Sequence, residues 1–416
     1  MRRSLVVGLI LGVLVSAVVI ALHVFRVTLP LEEWVMSLLA ANQTATRVVS
    51  VKVQYALVVI FSITVAWMVT ATSRRKGLGA LLAILAGELV ALSWICLLYK
   101  TFFQPLPSIF AVALGFVTAN GYVAFLGRSR SRMARDLFGG RVSSEKLAAV
   151  ASGELPYEPV AKNYEATAVV CDIANKHDLA EECPPEVLAD ITQKFGRHAT
   201  ESFLKAGAYI ESVSGEGIVA VFGFPEGGAE QAEKATRHAL SLLESFEKVG
   251  ADGRDEAFTK FHVHLGISSG AMSFAPLEKD HRSELLATGE PVELARRFCI
   301  ANRFYGSRVL IGPRTFELAS STIVARPIDF LSGVDVRERH EIYEPLVLAA
   351  DATPEQIARR DSFWNGVVLY REKRWGEAYS EFQKARGPND EDDPPLQLYV
   401  RRLEPLALHL VEASDQ

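Results

Sequence analysis

Glu211 to Pro225 reads ESVSGEGIVAVFGFP. The stretch divides into a strand, a tight glycine turn and a second strand of unbroken apolar residues, Ile218-Val219-Ala220-Val221-Phe222. Glu216 stands alone at the tip between Gly215 and Gly217. A carboxylate held there is either a ligand presented to a cation or a solvated turn acid. On these residues both readings are open.

Upstream, EATAVVCDIA (Glu165–Ala174) reads as a buried strand that ends in an acid, Asp172. Pro184 to Gly207 follows as a long amphipathic helix, with Val187, Ile191, Phe195 and Ala199 spaced by four. Downstream, Ala229–Val249 is a second helix, Phe261–Pro276 a further strand pair and Pro291–Phe304 a third helix. Ser307–Ala319 and Arg339–Ala349 close the sheet. Helices interleaved with antiparallel hairpins predict an α+β fold with helices over one sheet.

The first third of the chain is of another kind. Four apolar runs, Leu5–Leu22, Tyr55–Thr70, Leu78–Tyr99 and Ile109–Leu126, each approach the roughly 20 residues a helix needs to cross a bilayer. Met1-Arg2-Arg3 before the first run suggests a signal peptide, but no small-residue cleavage site follows, so a retained anchor is expected. Arg2-Arg3, SRRKG (Ser73–Gly77) and GRSRSRMAR (Gly127–Arg135) set the orientation. They predict a multi-pass protein of the cell inner membrane with the soluble part and both termini cytoplasmic. The outer connection, Pro30 to Val53, is too short for a sensor domain of its own. Glu88, mid-span in LLAILAGELVALSW, is costly in lipid and marks a functional position, unless it hydrogen-bonds a neighbouring Ser62 or Thr64.

Between these regions lies LFGGRVSSEKL, in which Ser143 or Ser144 caps a short helix through Leu147 and Val150, amphipathic enough to pack on a partner copy. The chain therefore reads as a four-helix transmembrane region over 1–127, a coupling linker helix over 128–160, the α+β domain over 161–350 and a helical tail over 351–416. In the tail, Phe363, Val367 and Tyr370, then Trp375, Ala378 and Phe382, fit a helical hairpin that packs on the preceding domain or on a partner. GPNDEDDPP after it reads as a solvated acidic turn.

Lys+Arg 44 against Asp+Glu 49 leaves a net charge of −5 over 416 residues. The basic residues from Arg128 to Arg141 lie beside a membrane segment, where anionic lipid accounts for them, so membrane lipid and no nucleic acid is the expected partner. Cys96, Cys171, Cys183 and Cys299 have no ligand-like spacing, which argues against a zinc site or a disulfide framework.

From about Phe138 to Ala349 the chain resembles a class III adenylate/guanylate cyclase domain, which is ferredoxin-like in fold. VVCDI, GEGIVAVFGFP, LGISSG, GEPVELARR and RVLIGPRTFE carry the resemblance, in that order. The flanks resemble cyclases whose outer part is a CHASE2 sensor, here with that sensor missing, and the tail resembles a single tetratricopeptide-like (TPR-like) repeat. The resemblance implies conversion of ATP or GTP to a cyclic nucleotide and pyrophosphate, with two Mg²⁺ or Mn²⁺ ions held by oxygen ligands. Asp172, the Ile173 carbonyl and Glu216 match the metal positions, Glu216 standing where the family has a shorter aspartate. Ser212 and Leu286 match the base-reading positions, normally a lysine and an aspartate or threonine. Glu293 and Arg297 match the ribose-orienting asparagine and the arginine that stabilises the transition state. Val334 and Val336 fall in the triphosphate lysine slots, with Arg337 as the nearest substitute, and DIANKH lacks the usual Gly-Phe-Thr loop.

The family builds its sites across a dimer, so a homodimer or a heterodimer with another cyclase is implied. Three functions stay open: a cyclase with relaxed base selection, a pseudo-cyclase that acts by dimerising, and the metal-binding half of a heterodimer. Asp172, Arg297 and the hairpin favour retained metal binding; Leu286 and Glu293 favour the other two.

Overall fold

The computed structural model describes residues 2–39, 47–72, 77–252, 256–279, 282–332, 338–387 and 393–414. They form two compact units, Met1–Arg130 and Ser131–Gln416.

The first unit contains α1 (Arg2–Val24), α2 (Leu29–Leu39), β1 (Arg47–Val48), α3 (Val51–Ala71), α4 (Leu78–Leu98), β2 (Thr101–Phe102) and the start of α5 (Pro105–Phe138). Helices α1, α3, α4 and α5 are long and apolar enough to cross a membrane. Gly8 and Gly12 bring α1 onto α3: a Cβ at either would fall 2.6 Å from Trp67 Cα or 2.5 Å from Ile63 Cα. Small residues four apart allow that backbone approach. The connection between α1 and α3 carries α2 and β1, and β1 pairs in parallel with β2. Glu32 of α2 is buried, accepting from the Thr28 hydroxyl at 3.0 Å and from Gln104 Nε2 at 2.8 Å.

Glu88 corrects the expectation of a partner on a neighbouring helix. It is exposed, about 100° of helix rotation from buried Leu89, and neither Ser62 nor Thr64 reaches it. Ser62 is fully buried, its hydroxyl without a partner among the described residues.

The second unit begins with α6 (Ser144–Ser152), where the Ser143 hydroxyl accepts from Lys146 N–H at 3.4 Å as the expected cap. There follow β3 (Lys162–Ile173), α7 (Lys176–Glu182), α8 (Pro185–Lys205), β4 (Tyr209–Ser214), β5 (Gly217–Phe222) and α9 (Gln231–Ala251). Next come β6 (Val263–Lys279), β7 (Arg282–Thr288), α10 (Glu290–Tyr305), β8 (Val309–Ile311), α11 (Pro313–Ala319), β9 (Ile323–Ser332) and β10 (Arg339–Leu348). The chain closes on α12 (Pro354–Arg371), α13 (Trp375–Lys384) and α14 (Pro394–Ser414).

Eight strands make one sheet in the order β4-β5-β3-β6-β8-β10-β9, with β7 paired to β6; only β6–β8 is parallel. Both faces are covered. Val169, Cys171 and Ile173 of β3 pack with Ile191, Phe195 and Ala239 of α8 and α9. Ala168 and Val170 face the other way, toward Val150 of α6 and Val292, Ala295 and Cys299 of α10. Burial on both sides explains why β3 reads as a continuous apolar run. Phe261–Pro276 is one element rather than a strand pair: β6 runs on to Lys279, and its hairpin partner is β7.

Gly266, in LGISSG, is fixed by a close approach. A Cβ there would lie 2.0 Å from the Ala295 carbonyl oxygen, so α10 rests directly on the β6 backbone.

The tail packs on this domain. Phe363, Val367, Phe382, Leu396, Tyr399 and Leu403 share a core with Leu294, Phe298, Ile328 and Ile342. The acidic turn is not wholly solvated: Asp393 makes a bidentate pair with the buried guanidinium of Arg326, both bonds 2.7 Å. Arg326 also donates to Glu344 and lies 4.5 Å from the Phe363 ring centre. Burying a guanidinium is costly unless its donors are met, and two carboxylates meet them here.

Candidate functional site

The β4–β5 hairpin turns through two residues, Gly215 and Glu216, because Ser214 pairs with Gly217. Gly217 has φ +105°, which favours glycine, and a Cβ on it would fall 2.6 Å from Cys171 O and 2.9 Å from Asp172 Cβ. The turn therefore closes directly on the end of β3, where Asp172 sits. Asp172 Oδ1 accepts the Ile173 N–H at 2.8 Å. Glu216 is exposed on the tip, its N–H bonded to Ser214 Oγ at 3.1 Å. The fold thus brings the Asp172 side chain and the loop bearing Glu216 together.

Lys176 completes this corner, and nothing in the sequence analysis singled it out. Its ammonium donates to Asp172 Oδ1 at 2.7 Å and to the Gly215 carbonyl oxygen. Asp172 lies on β3 and Lys176 opens α7, and the short turn between the two elements brings the lysine back over the acid.

A cavity of about 450 Å³ opens beside Asp172, bordered also by Lys176, His177, His264, Cys299 and Arg303. Burial, reinforced by Arg308, His262 and Arg303, lowers the His264 pKa to about 4, so its imidazole is neutral at pH 7. Burial pushes the Cys299 thiol up to about 12, and its S–H donates to the His264 carbonyl at 3.3 Å. A thiol so held is protonated at neutral pH.

The remaining predicted residues lie elsewhere. Ser212 is half-buried on β4, at the irregular register after Ile210. Leu286 is exposed on β7 opposite Ala275. Glu293 and Arg297 are one turn apart on α10, both exposed, and Arg297 Nη1 donates to the Ser332 carbonyl at 3.3 Å. Glu293 borders a second cavity of about 540 Å³ with Glu290 and Glu338. His340 Nε2 lies 3.6 Å from Glu290 and 3.9 Å from Glu338. Val334, Val336 and Arg337 lie outside the described residues.

Helix α10 therefore borders both cavities, its start lining the acidic one and Cys299 and Arg303 the one at Asp172. The oxygen donors at Asp172 and the hairpin suit a hard divalent cation, but Lys176 already stands among them, so they fit one only with Lys176 drawn aside.

No protein-family model matches the chain. In sequence it is similar to adenylate cyclases over about half of its length. The terminal-differentiation specific adenylate cyclase of Dictyostelium discoideum is 26% identical over 243 residues, 57% of this chain and 11% of that protein. Adenylate cyclase 1 of Rhizobium meliloti (strain 1021) is 25% identical over 181 residues, 43% of this chain and 27% of that protein. The chain thus spans only a minor part of the length of these relatives. Among solved structures, the adenylyl cyclase CyaB from P. aeruginosa is 21% identical with a TM-score of 0.42, covering 46% of this chain and 99% of that one.

Proposed function

We propose that this chain is a membrane-anchored class III nucleotide cyclase-like protein, converting ATP or GTP to a cyclic 3′,5′-monophosphate and pyrophosphate through a diverged site. The observation that carries the reading is Asp172 at the end of the central strand, packed against the glycine of the hairpin whose tip is Glu216. Asp172, the Ile173 carbonyl and Glu216 would hold Mg²⁺ or Mn²⁺, two ions in an active site. Such ions lower the charge on the 3′-oxygen nucleophile and the triphosphate when bound. Arg297 would place positive charge beside phosphate oxygens. The two cavities at opposite ends of α10 suit a head-to-tail dimer, homo- or heteromeric, in which each site takes its metal half from one chain and its nucleotide half from the other.

The anchoring reading rests on the four apolar helices, with lipid on their outer surface and the arginine-rich segments on the cytoplasmic side of a cell inner membrane. Glu88 on that surface would need a proton or a covering partner. The CHASE2-type ancestry and the TPR-like character of the tail belong to the same proposal.

A second reading, a pseudo-cyclase acting as a dimerisation or regulatory partner, is favoured by the nucleotide half. Leu286 is 47% exposed where a base edge would be read, and Glu290, Glu293 and Glu338 border the cavity a polyanion would enter. The test is cyclic-nucleotide production by the purified full chain with Mn²⁺ and ATP or GTP, alone and mixed with another cyclase. Product from the lone chain that is lost in Asp172→Ala supports turnover. Product only on mixing supports the heterodimer, and none in either supports the pseudo-cyclase. Ser212→Lys, Leu286→Asp and Glu293→Asn together test whether the scaffold is otherwise competent.

A further inference from the structure

We infer that Lys176 is a tethered counter-cation: its ammonium takes the place between Asp172 and the hairpin tip where a divalent ion would enter, so divalent cations bind only when Lys176 is displaced. The inference rests on the metal-site reading of Asp172. Three observations carry it. The ammonium touches an oxygen of the acid, at 2.7 Å, and the carbonyl of Gly215 in the turn, spanning two elements as a bridging ion would. Both partners of the pair are about 70% buried, with side chains 31% and 29% exposed, so it is less screened than a surface pair. The sequence supplies the tether, because the start of α7 fixes the lysine four residues after the acid.

The charge arithmetic gives the consequence. Asp172 and Glu216 together offer a dication two negative charges; with Lys176 on Asp172 the corner offers only one, and the ammonium repels the incoming ion. A protein with this corner binds Mg²⁺ or Mn²⁺ weakly unless something draws the lysine away, and the phosphate oxygens of an arriving nucleotide are anionic acceptors of the right kind. The lysine then makes metal binding conditional on nucleotide.

The experiment is Mn²⁺ titration of the full chain in detergent, without nucleotide, with free Mn²⁺ read by its electron paramagnetic resonance signal. Lys176→Met is expected to bind Mn²⁺ at least about tenfold more tightly than the parent, from loss of one adjacent positive charge. Lys176→Arg keeps the charge and should stay weak, and Asp172→Asn added to Lys176→Met should remove the gain. Thermal melts run alongside confirm folding, and Lys176→Gln serves as the neutral variant if the methionine does not fold. A parent that binds as tightly as Lys176→Met overturns the inference and leaves the metal site standing. A gain that survives Asp172→Asn overturns it too. If neither neutral variant binds Mn²⁺, the metal-site reading falls with it.

Discussion

One chemical change at two glycines should move stability in opposite directions. Gly266 of β6 faces the α10 backbone, and a Cβ there would lie 2.0 Å from Ala295 O and 2.3 Å from Cys299 N. Ordinary van der Waals contact begins near 3.4 Å, so the helix must lift by about 1.4 Å, and neither offending atom can rotate away. Overpacked cores typically lose ~1–3 kcal/mol. With backbone on both sides, and with Val292, Ala295 and Cys299 all lifted from their contacts, we expect about 4 kcal/mol for Gly266→Ala. In a unit of this size that is a fall in Tm of about 10 °C. Gly196 lies inside α8, where a Cβ meets only Val213 Cγ1, at 3.9 Å. Gly196→Ala should therefore gain about 0.5–1 kcal/mol from helix propensity and raise Tm by about 2 °C. Differential scanning fluorimetry of the full chain in detergent reads both. A Gly266→Ala protein melting within 2 °C of the parent would refute the close approach, as would an equal fall in Gly196→Ala.

Asp393→Ala leaves the Arg326 guanidinium with Glu344 alone. The expected loss is about 2–3 kcal/mol by thermal melt, below the ~3–5 kcal/mol of a fully buried pair because Asp393 is 30% exposed. His238 is half-buried against Phe203 and Phe222, and that burial lowers its pKa from 6.5 to about 4. Its folded pKa lies below its unfolded one, so its contribution is present above about pH 6.5 and is lost as pH falls toward 4. The loss is about 2 kcal/mol at pH 5, and melts of His238→Phe across that window should show a shallower decline. Cys171 and Cys299 are buried, with thiol pKa values raised by burial, so iodoacetamide at pH 8 should label Cys183 and spare both, as read by peptide mass.

What the sequence made legible follows the range of the forces. Unbroken apolar runs located β3 and β5, and apolar residues spaced by four located α8, because each element's burial is written in its own residues. The Ser143 cap was visible for the same reason. The Asp172–Glu216 neighbourhood needed the family resemblance, since nothing local says that a strand end and a hairpin tip forty-four residues apart will meet. Lys176 was local but lay in a loop judged for the Gly-Phe-Thr it lacks rather than for the cation it carries. The Arg326–Asp393 pair spans 67 residues and leaves no periodic trace. Whether Glu88 meets Ser62 or Thr64 was not legible, because composition alone does not say which way each helix turns its face.

Because Asp393 reaches back to Arg326, the seam drawn near Ala350 is no safe place to cut the gene. A fragment ending there leaves the Arg326 guanidinium with Glu344 alone and bares Leu294, Ile328 and Ile342, whose cover extends to Leu403. Silence from such a fragment in an enzyme assay would report surgical damage, and only the longer polypeptide can testify about chemistry.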